Sequence, residues 1–152
     1  MHALDKYFDD YQPGEVVPAP SRTITEADVV NFAGLSGDYH PLHMDDLFAR
    51  QSRFGARIAH GMLTITIASG LLYAAGISSD KSMAFLGIKG WDFKAPVYLG
   101  DTITVRITVA EKHESRRPER GIITFRCQVV NLSRDGEVAC EGDWVQMYRR
   151  RA

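Results

Sequence analysis

The sequence predicts an α+β fold in which one antiparallel sheet wraps around a long central helix. Two observations lead to this prediction. Residues 61–77 are apolar on nearly every side, and a helix of that kind belongs inside a domain. Beyond residue 76 the hydrophobic period changes from helical to two, as in half-buried strands. Strands that bury one face against such a helix satisfy both patterns.

The composition is that of one soluble globular domain spanning residues 1–152. Hydrophobic residues make up 45% and charged residues 24%, and the net charge of −1 predicts no nucleic-acid partner and no membrane surface. The stretch 61–77 also falls short of a membrane span. Cys127 and Cys140 lie in strand-like segments and are expected to be buried, reduced thiols. Without a signal peptide, this usage predicts a cytoplasmic protein.

The first quarter of the chain is predicted to be an arm followed by a helix. Residues 1–15 are expected to be loosely ordered, with Tyr7, Phe8 and Tyr11 as possible anchors. Residues 16–24 contain Pro18 and Pro20, so they can form only an edge strand or an extended arm. Thr25 then has the character of an N-cap and is followed by acidic residues, which predicts a helix through residue 35. A shorter helix is expected around residues 44–50.

Four strands are predicted after the apolar helix, at about residues 83–93, 102–109, 123–129 and 138–148. Apolar and polar residues alternate most clearly in the second and third of these. Asp135 and Gly136 form the dipeptide typical of a hairpin turn. Gly142 lies inside the last strand and is expected to mark a bulge there.

The segment from Gly37 to His43 (GDYHPLH) contains the residues with the clearest chemical meaning. It places the carboxylate of Asp38 five residues before the imidazole of His43, on a turn that Gly37 opens and Pro41 stiffens. Two such groups aimed at one point can position a water and move a proton. The alternative is a helix cap followed by an Asx-type turn, with His43 as an ordinary surface residue.

Three stretches together resemble the MaoC-like dehydratases, and within them the R-specific enoyl-CoA hydratases. The first is FAGLSGDYHPLH (32–43). The second is RIAHGML (57–63), continuing through ASGLL (68–72), and the third is FLG (85–87) followed by FKAPVYLGD (93–101). The resemblance implies the hot-dog fold for the predicted sheet and helix. One position departs from the family pattern, which commonly has asparagine where this chain has His40. An imidazole can partly replace that side chain in bracing the turn, by donating through one ring nitrogen.

The resemblance implies a hydro-lyase that adds water to a trans-2-enoyl thioester and yields the R-3-hydroxyacyl product. Asp38 is favoured as general base, in a role that His43 could share. The acyl group would be carried by coenzyme A or by an acyl carrier protein, with no metal and no other cofactor. The scattered histidines and cysteines likewise show no metal-ligand spacing. A homodimer or larger homo-oligomer is expected, because a single sheet leaves an edge strand open.

Four further positions around the apolar helix are candidate substrate contacts. The backbone N–H of Gly61 opens the helix and could stabilise the enolate oxygen, although Gly61 could equally serve close packing. The resemblance places Ser69 toward the active-site water or Asp38, but a serine in a buried helix often bonds its own backbone. His60 could line the pocket entry or be structural. Met62 could contact the acyl group, yet it fits the core better, as do Leu63, Ile65 and Phe85.

Two other functions remain open for the same fold. A hot-dog thioesterase would direct the activated water at the carbonyl carbon instead of C3. The paired Asp38 and His43 favour hydration, since simple hydrolysis would not need the histidine. A non-catalytic acyl-binding subunit is the third interpretation, and it would be easier to accept if either residue were missing.

Overall fold

A computed structural model describes residues 6–151, and it confirms the predicted α+β arrangement. Six strands form one antiparallel sheet in the order β1-β4-β5-β6-β3, and β2 also pairs with β4. The strands are β1 Val16–Val17, β2 Ser21–Thr23, β3 Ser82–Phe93, β4 Thr102–Glu114, β5 Arg120–Asn131 and β6 Glu137–Arg149. The helices are α1 Glu26–Ser36, α2 Pro41–Met44, α3 Asp46–Gln51 and α4 Gly61–Ala74.

Helix α4 packs on the sheet through one face and leaves the other uncovered. Its buried apolar residues join the inward side chains of β4, β5 and β6 in a single core, and they are Leu63, Ile67, Ala68, Leu71 and Leu72. The expectation that this helix is buried all round is wrong for the single chain. Met62 is 61% exposed and Tyr73 67% exposed. Phe85 on β3, also expected in the core, is 52% exposed.

The segment before β1 packs against the sheet. Phe8 and Tyr11 are buried, and the Tyr11 ring meets Phe125 edge-on at 5.5 Å between centroids. For residues 6–15 the expectation of loose order is therefore wrong, because two aromatic side chains enter the core. Residues 1–5 lie outside the described part of the chain. The predicted extended arm at 16–24 is confirmed, since its two short strands pair with the edge of β4.

The bulge predicted at Gly142 in β6 is found in the neighbouring strand β3 instead. Gly142 pairs regularly with Cys127, whereas β3 shifts register between Lys89 and Asp92. A Cβ on Gly142 would come within 2.9 Å of the Trp91 backbone. The glycine in β6 therefore makes room for an irregularity in β3. Two further register shifts lie along β3, between residues 82 and 84 and between 85 and 87.

Two expectations from the sequence, on the cysteines and on membrane-spanning helices, can be compared with the structure. Cys127 and Cys140 are buried free thiols, and burial raises their pKa to about 12 and about 11 respectively. Among the helices of residues 6–151, none combines the length and the apolar character needed to cross a bilayer.

Candidate active site

The loop between α1 and α2 is fixed by a series of local hydrogen bonds. Gly37 ends α1 with φ = 78°, a backbone angle that favours glycine. Asp38 Oδ1 then accepts a hydrogen bond from the His40 N–H at 3.2 Å. His40 caps α2, and its Nδ1 accepts from the Leu42 N–H at 3.1 Å. His40 thus braces the turn as expected, but it accepts a hydrogen bond where the sequence predicted that it would donate one.

The sequence also allowed this loop to be only a helix cap and an Asx-type turn, with His43 as an ordinary surface residue. The cap and the turn are present, but His43 is not an ordinary surface residue. Its ring is half-buried, and Nδ1 lies 2.7 Å from the Ile58 carbonyl oxygen. A carbonyl can only accept, so Nδ1 carries the proton and Nε2 is left as a bare acceptor. Burial lowers the pKa of His43; the bond to Ile58 opposes this shift and the neighbouring His60 adds to it.

His60 lies behind the loop, and at 2% exposure it does not line the pocket entry. Its Nε2 is 2.9 Å from the Asp38 backbone oxygen, so Nε2–H donates to that carbonyl. Its ring lies face to face with His43, at 3.9 Å between centroids and 30° between planes. The structure thus brings Asp38, His43 and His60 together, although the sequence separates the third from the first two.

One polar atom from each of Asp38, His43 and His60 lies within 4.8 Å of the other two. These residue types can ligate a transition metal, but zinc bonds of about 2.0–2.1 Å would place the ligand atoms about 3.4 Å apart. Hydrogen bonds of about 2.8 Å to one water bridge atoms about 4.6 Å apart. Atoms that lie within 4.8 Å of one another can therefore be bridged by one water.

A cavity of about 260 Å³ opens beside this cluster and is lined mainly by apolar atoms. His43 forms part of its wall, and Gly61 at the first turn of α4 forms another part. Phe93 at the end of β3 packs against Gly61, where a Cβ would lie 2.8 Å from the ring. Both roles foreseen for Gly61, close packing and an exposed helix N-terminus, are thus compatible. Two cationic side chains, Arg53 and Lys94, also border the cavity.

Ser69 and Met62 lie elsewhere on α4. The Ser69 hydroxyl donates to the Thr66 carbonyl at 2.6 Å, which is the backbone bond that the sequence left open as the alternative. Met62 projects from the exposed face of the helix. Neither residue is among the described residues that line the cavity. As substrate contacts both remain predictions.

Three contributors to the site were given no role from the sequence. Ile58 acts through its backbone carbonyl, and no residue type signals such a role. Phe93 belongs to the third matching stretch, where it opens the segment FKAPVYLGD, and that position is the one signal that marks it. Arg57 contributes from outside the cavity by bonding Glu26 at 2.8 Å and Asp46 at 2.7 Å, which ties α1 to α3 around the site loop.

Residues 10–130 match the family described as MaoC like domain. The (R)-specific enoyl-CoA hydratase of Rhodospirillum rubrum is 37% identical over 90% of this chain and 88% of that protein. Protein MaoC of Klebsiella aerogenes is 46% identical over 74% of this chain. The match spans only about a third of that longer protein, 33% of its length.

A solved structure agrees with these sequence matches. The monoamine oxidase regulatory protein from Archaeoglobus fulgius superimposes with a TM-score of 0.88 at 35% identity, over 97% of this chain and 96% of that one. A conserved hypothetical protein from Mycobacterium tuberculosis, described as having a double hot-dog fold, superimposes with a TM-score of 0.85 at 21% identity, over 99% of this chain and 46% of that one. With the sheet order described above, this likeness confirms the hot-dog fold that the resemblance implied.

Proposed function

The chain belongs to the MaoC-like domain family, and from that premise we propose that it is a hydro-lyase acting on acyl thioesters. It would add water reversibly across the double bond of a trans-2-enoyl thioester to give the R-3-hydroxyacyl product. The observation that carries the proposal is the pairing of Asp38 with His43 beside an apolar cavity. One polar atom of each residue lies within 4.8 Å of one of the other, and in the neutral ring His43 Nε2 is an acceptor without a proton.

This geometry supports a division of roles that the sequence left open. A water between the two groups would donate one hydrogen to the Asp38 carboxylate and the other to His43 Nε2. As the water oxygen bonds to C3, Asp38 takes the first proton and the electrons of the double bond move toward the thioester carbonyl. The protonated Asp38 then returns its proton to C2. His43 orients the water throughout and needs no proton of its own.

The thioester oxygen gains negative charge in this step and needs a donor. The N–H of Gly61 is one of the donors that helix α4 leaves without an internal partner at its first turn. Gly61 and His43 line the same cavity, which supports placing the carbonyl near the first and C3 near the second. Arg53 and Lys94 at the same cavity suit the phosphate groups of a coenzyme A or acyl-carrier-protein carrier.

The working unit that we propose is a homodimer. Strand β3 forms one edge of the sheet, and the exposed face of α4 lies uncovered. Large apolar side chains on both elements are open to solvent, among them Met62, Tyr73, Phe85, Leu86 and Ile88. A second copy joined along β3 would cover both surfaces and pair the open edge. Ser69 and Met62 would then lie near the subunit boundary, where an acyl chain could reach them.

The test is a spectrophotometric assay with purified protein and short trans-2-enoyl-CoA substrates. Hydration removes the absorbance of the enoyl thioester without releasing a thiol, whereas a thioesterase would release coenzyme A. Chiral analysis of the product should give the R isomer, as in the R-specific hydratases that the chain resembles. In deuterated water the label at C2 should lie on the face that received the hydroxyl, because one water between Asp38 and His43 delivers both. A label on the opposite face would rule out this geometry, an S product or a racemate would rule out the proposed product, and thiol release would favour the thioesterase interpretation.

A further inference from the structure

His60 makes more contacts at the site than the proposed reaction requires. It touches both proposed catalytic residues, through the Asp38 backbone at 2.9 Å and the His43 ring at 3.9 Å between centroids. It is almost wholly buried, so it cannot meet a substrate directly. A buried polar ring in this position either only fills space in the core or holds the neighbouring residues in place.

The hydrogen bond of the His60 side chain fixes the tautomer of its neutral ring. Its Nε2 donates to the Asp38 carbonyl, so in a neutral ring Nδ1 carries a lone pair. That Nδ1 is buried and has no hydrogen-bond partner among the described residues. Polar atoms are seldom left in this condition in a native structure, and each case calls for an explanation. His40 occupies the equivalent place before α2 and does use its Nδ1, as an acceptor from Leu42.

From these contacts we infer that His60 is a positioning residue, which anchors the Asp38 backbone through Nε2–H and provides the flat wall against which the His43 ring stacks. The inference rests on the proposed function for its catalytic meaning. The ring of Phe32 also packs against His60, at 5.0 Å between centroids, which leaves the His60 ring little freedom to turn. An aliphatic residue could fill the space but could not hold the carbonyl.

The adjacent His60 ring also affects the protonation of His43. A second positive charge is disfavoured beside another imidazole, and the presence of His60 lowers the pKa of His43. The other titratable groups facing His43 are Asp38, which raises its pKa, and His40, which lowers it. Removing His60 while keeping Asp38 and His40 should therefore let His43 take up a proton at higher pH. A residue that merely filled space would not have this effect.

Two variants separate the functions of the ring. His60→Gln keeps an N–H that can reach the Asp38 carbonyl but removes the stacked ring. His60→Phe keeps a ring but removes the donor. We expect His60→Phe to lower kcat on the order of 10²-fold with little change in KM, since small displacements of a reacting group have effects of that size. His60→Gln should recover much of this loss, yet both variants should move the acid limb of the kcat profile to higher pH.

Phe32→Leu is the matched control, because it removes packing beside His60 and no polar atom. It should lower thermal stability without moving the acid limb. Folded His60 variants with unchanged kcat and an unchanged acid limb would overturn the inference. So would a loss confined to KM.

A measurement on the wild-type protein does not depend on activity or on the folding of any variant. Nitrogen-15 NMR of the imidazole rings should show His60 with its proton on Nε2 and His43 with its proton on Nδ1. The opposite form of His60 would overturn the inference even in an active enzyme. If the protein proves inactive as a hydratase while the expected forms are found, the proposed function fails and the positioning contacts stand.

Discussion

The ring of Phe93 lies directly against Gly61, so that a methyl group on Gly61 would come within 2.8 Å of ring carbon Cε1. Gly61→Ala should therefore shift the ring or the first turn of α4, and with it the N–H proposed to hold the thioester oxygen. We expect a fall in kcat on the order of 10²–10³-fold, the usual effect of losing one such donor. Steady-state hydration kinetics would measure it.

Gly34→Ala is the matched control for this substitution. Gly34 lies on the exposed side of α1, where a Cβ would meet only the Tyr39 hydroxyl at 3.7 Å, an ordinary contact. It should retain activity and gain about 0.5–1 kcal/mol in stability, since alanine favours a helix interior over glycine. Wild-type kcat in a folded Gly61→Ala protein would remove this backbone donor from the mechanism.

Asp38→Asn and His43→Asn should each reduce hydration by about 10²–10⁴-fold while the protein stays folded. The first substitution keeps a side-chain oxygen for the His40 N–H, and the second can keep a donor for the Ile58 carbonyl, so both changes spare the loop. Because the two groups handle one water, the double variant should be little worse than the worse single variant. Multiplied losses in the double variant would mean that the residues act independently.

The pH dependence follows from the lowered pKa of His43. The reaction needs its neutral form, so the acid limb of kcat/KM should lie below about 6.5, the ordinary imidazole value. In the same range the unfolded chain binds more protons than the folded one. The contribution of His43 to the free energy of unfolding should therefore decrease as pH falls from about 6.5 toward its folded pKa. Urea unfolding of wild type and His43→Asn at several pH values would isolate the contribution of His43 to the free energy of unfolding. In the kinetic profile, an acid limb above pH 6.5 would contradict the requirement for neutral His43.

Metal removal should leave the activity unchanged, because the proposed reaction uses a water held by protein groups. Protein dialysed against EDTA should hydrate the substrate at the untreated rate. A loss of activity on chelation, restored by a metal, would contradict the water-based mechanism.

Disrupting the exposed face of α4 should separate the proposed dimer. Tyr73→Lys places a charge at a side chain that is two-thirds exposed in the single chain and would be covered by a partner. We expect sedimentation to show a dimer for wild type and a monomer for this variant, with a loss of activity. Leu47→Lys on α3 is the control, because Leu47 is also exposed but belongs to a different helix. A fully active wild-type monomer at micromolar concentration would exclude the dimer as the working unit.

The parts of the fold that depend on periodicity were predictable from the sequence. Alternation located β4 and β5, and Thr25 identified the start of α1 through its cap. The irregularities were not predictable in the same way. Gly142 indicated a bulge but not the strand that contains it, because the cause is the Trp91 backbone across the ladder. Local sequence does not record such cross-strand contacts.

The site shows the same division. Asp38 and His43 were recognisable because both lie on one turn, whose glycine and proline determine its shape. The place of His60 depends on how α4 meets the loop after α1, which is a tertiary contact between residues 22 positions apart. The exposure of Met62 was missed for a related reason, since an apolar helix face indicates burial without saying whether the same chain or another provides the cover.

The three register shifts in β3 affect which strands can attach to this edge. An open, regular edge accepts almost any extended peptide, and this is how many proteins begin to aggregate. Because β3 is kinked at intervals, its free N–H and C=O groups stand at spacings that a flat, evenly spaced strand cannot follow over its full length. A second copy running antiparallel carries the same kinks in reverse order. The irregular edge would thus disfavour pairing with unrelated extended peptides, while a second copy of this chain could still pair with it.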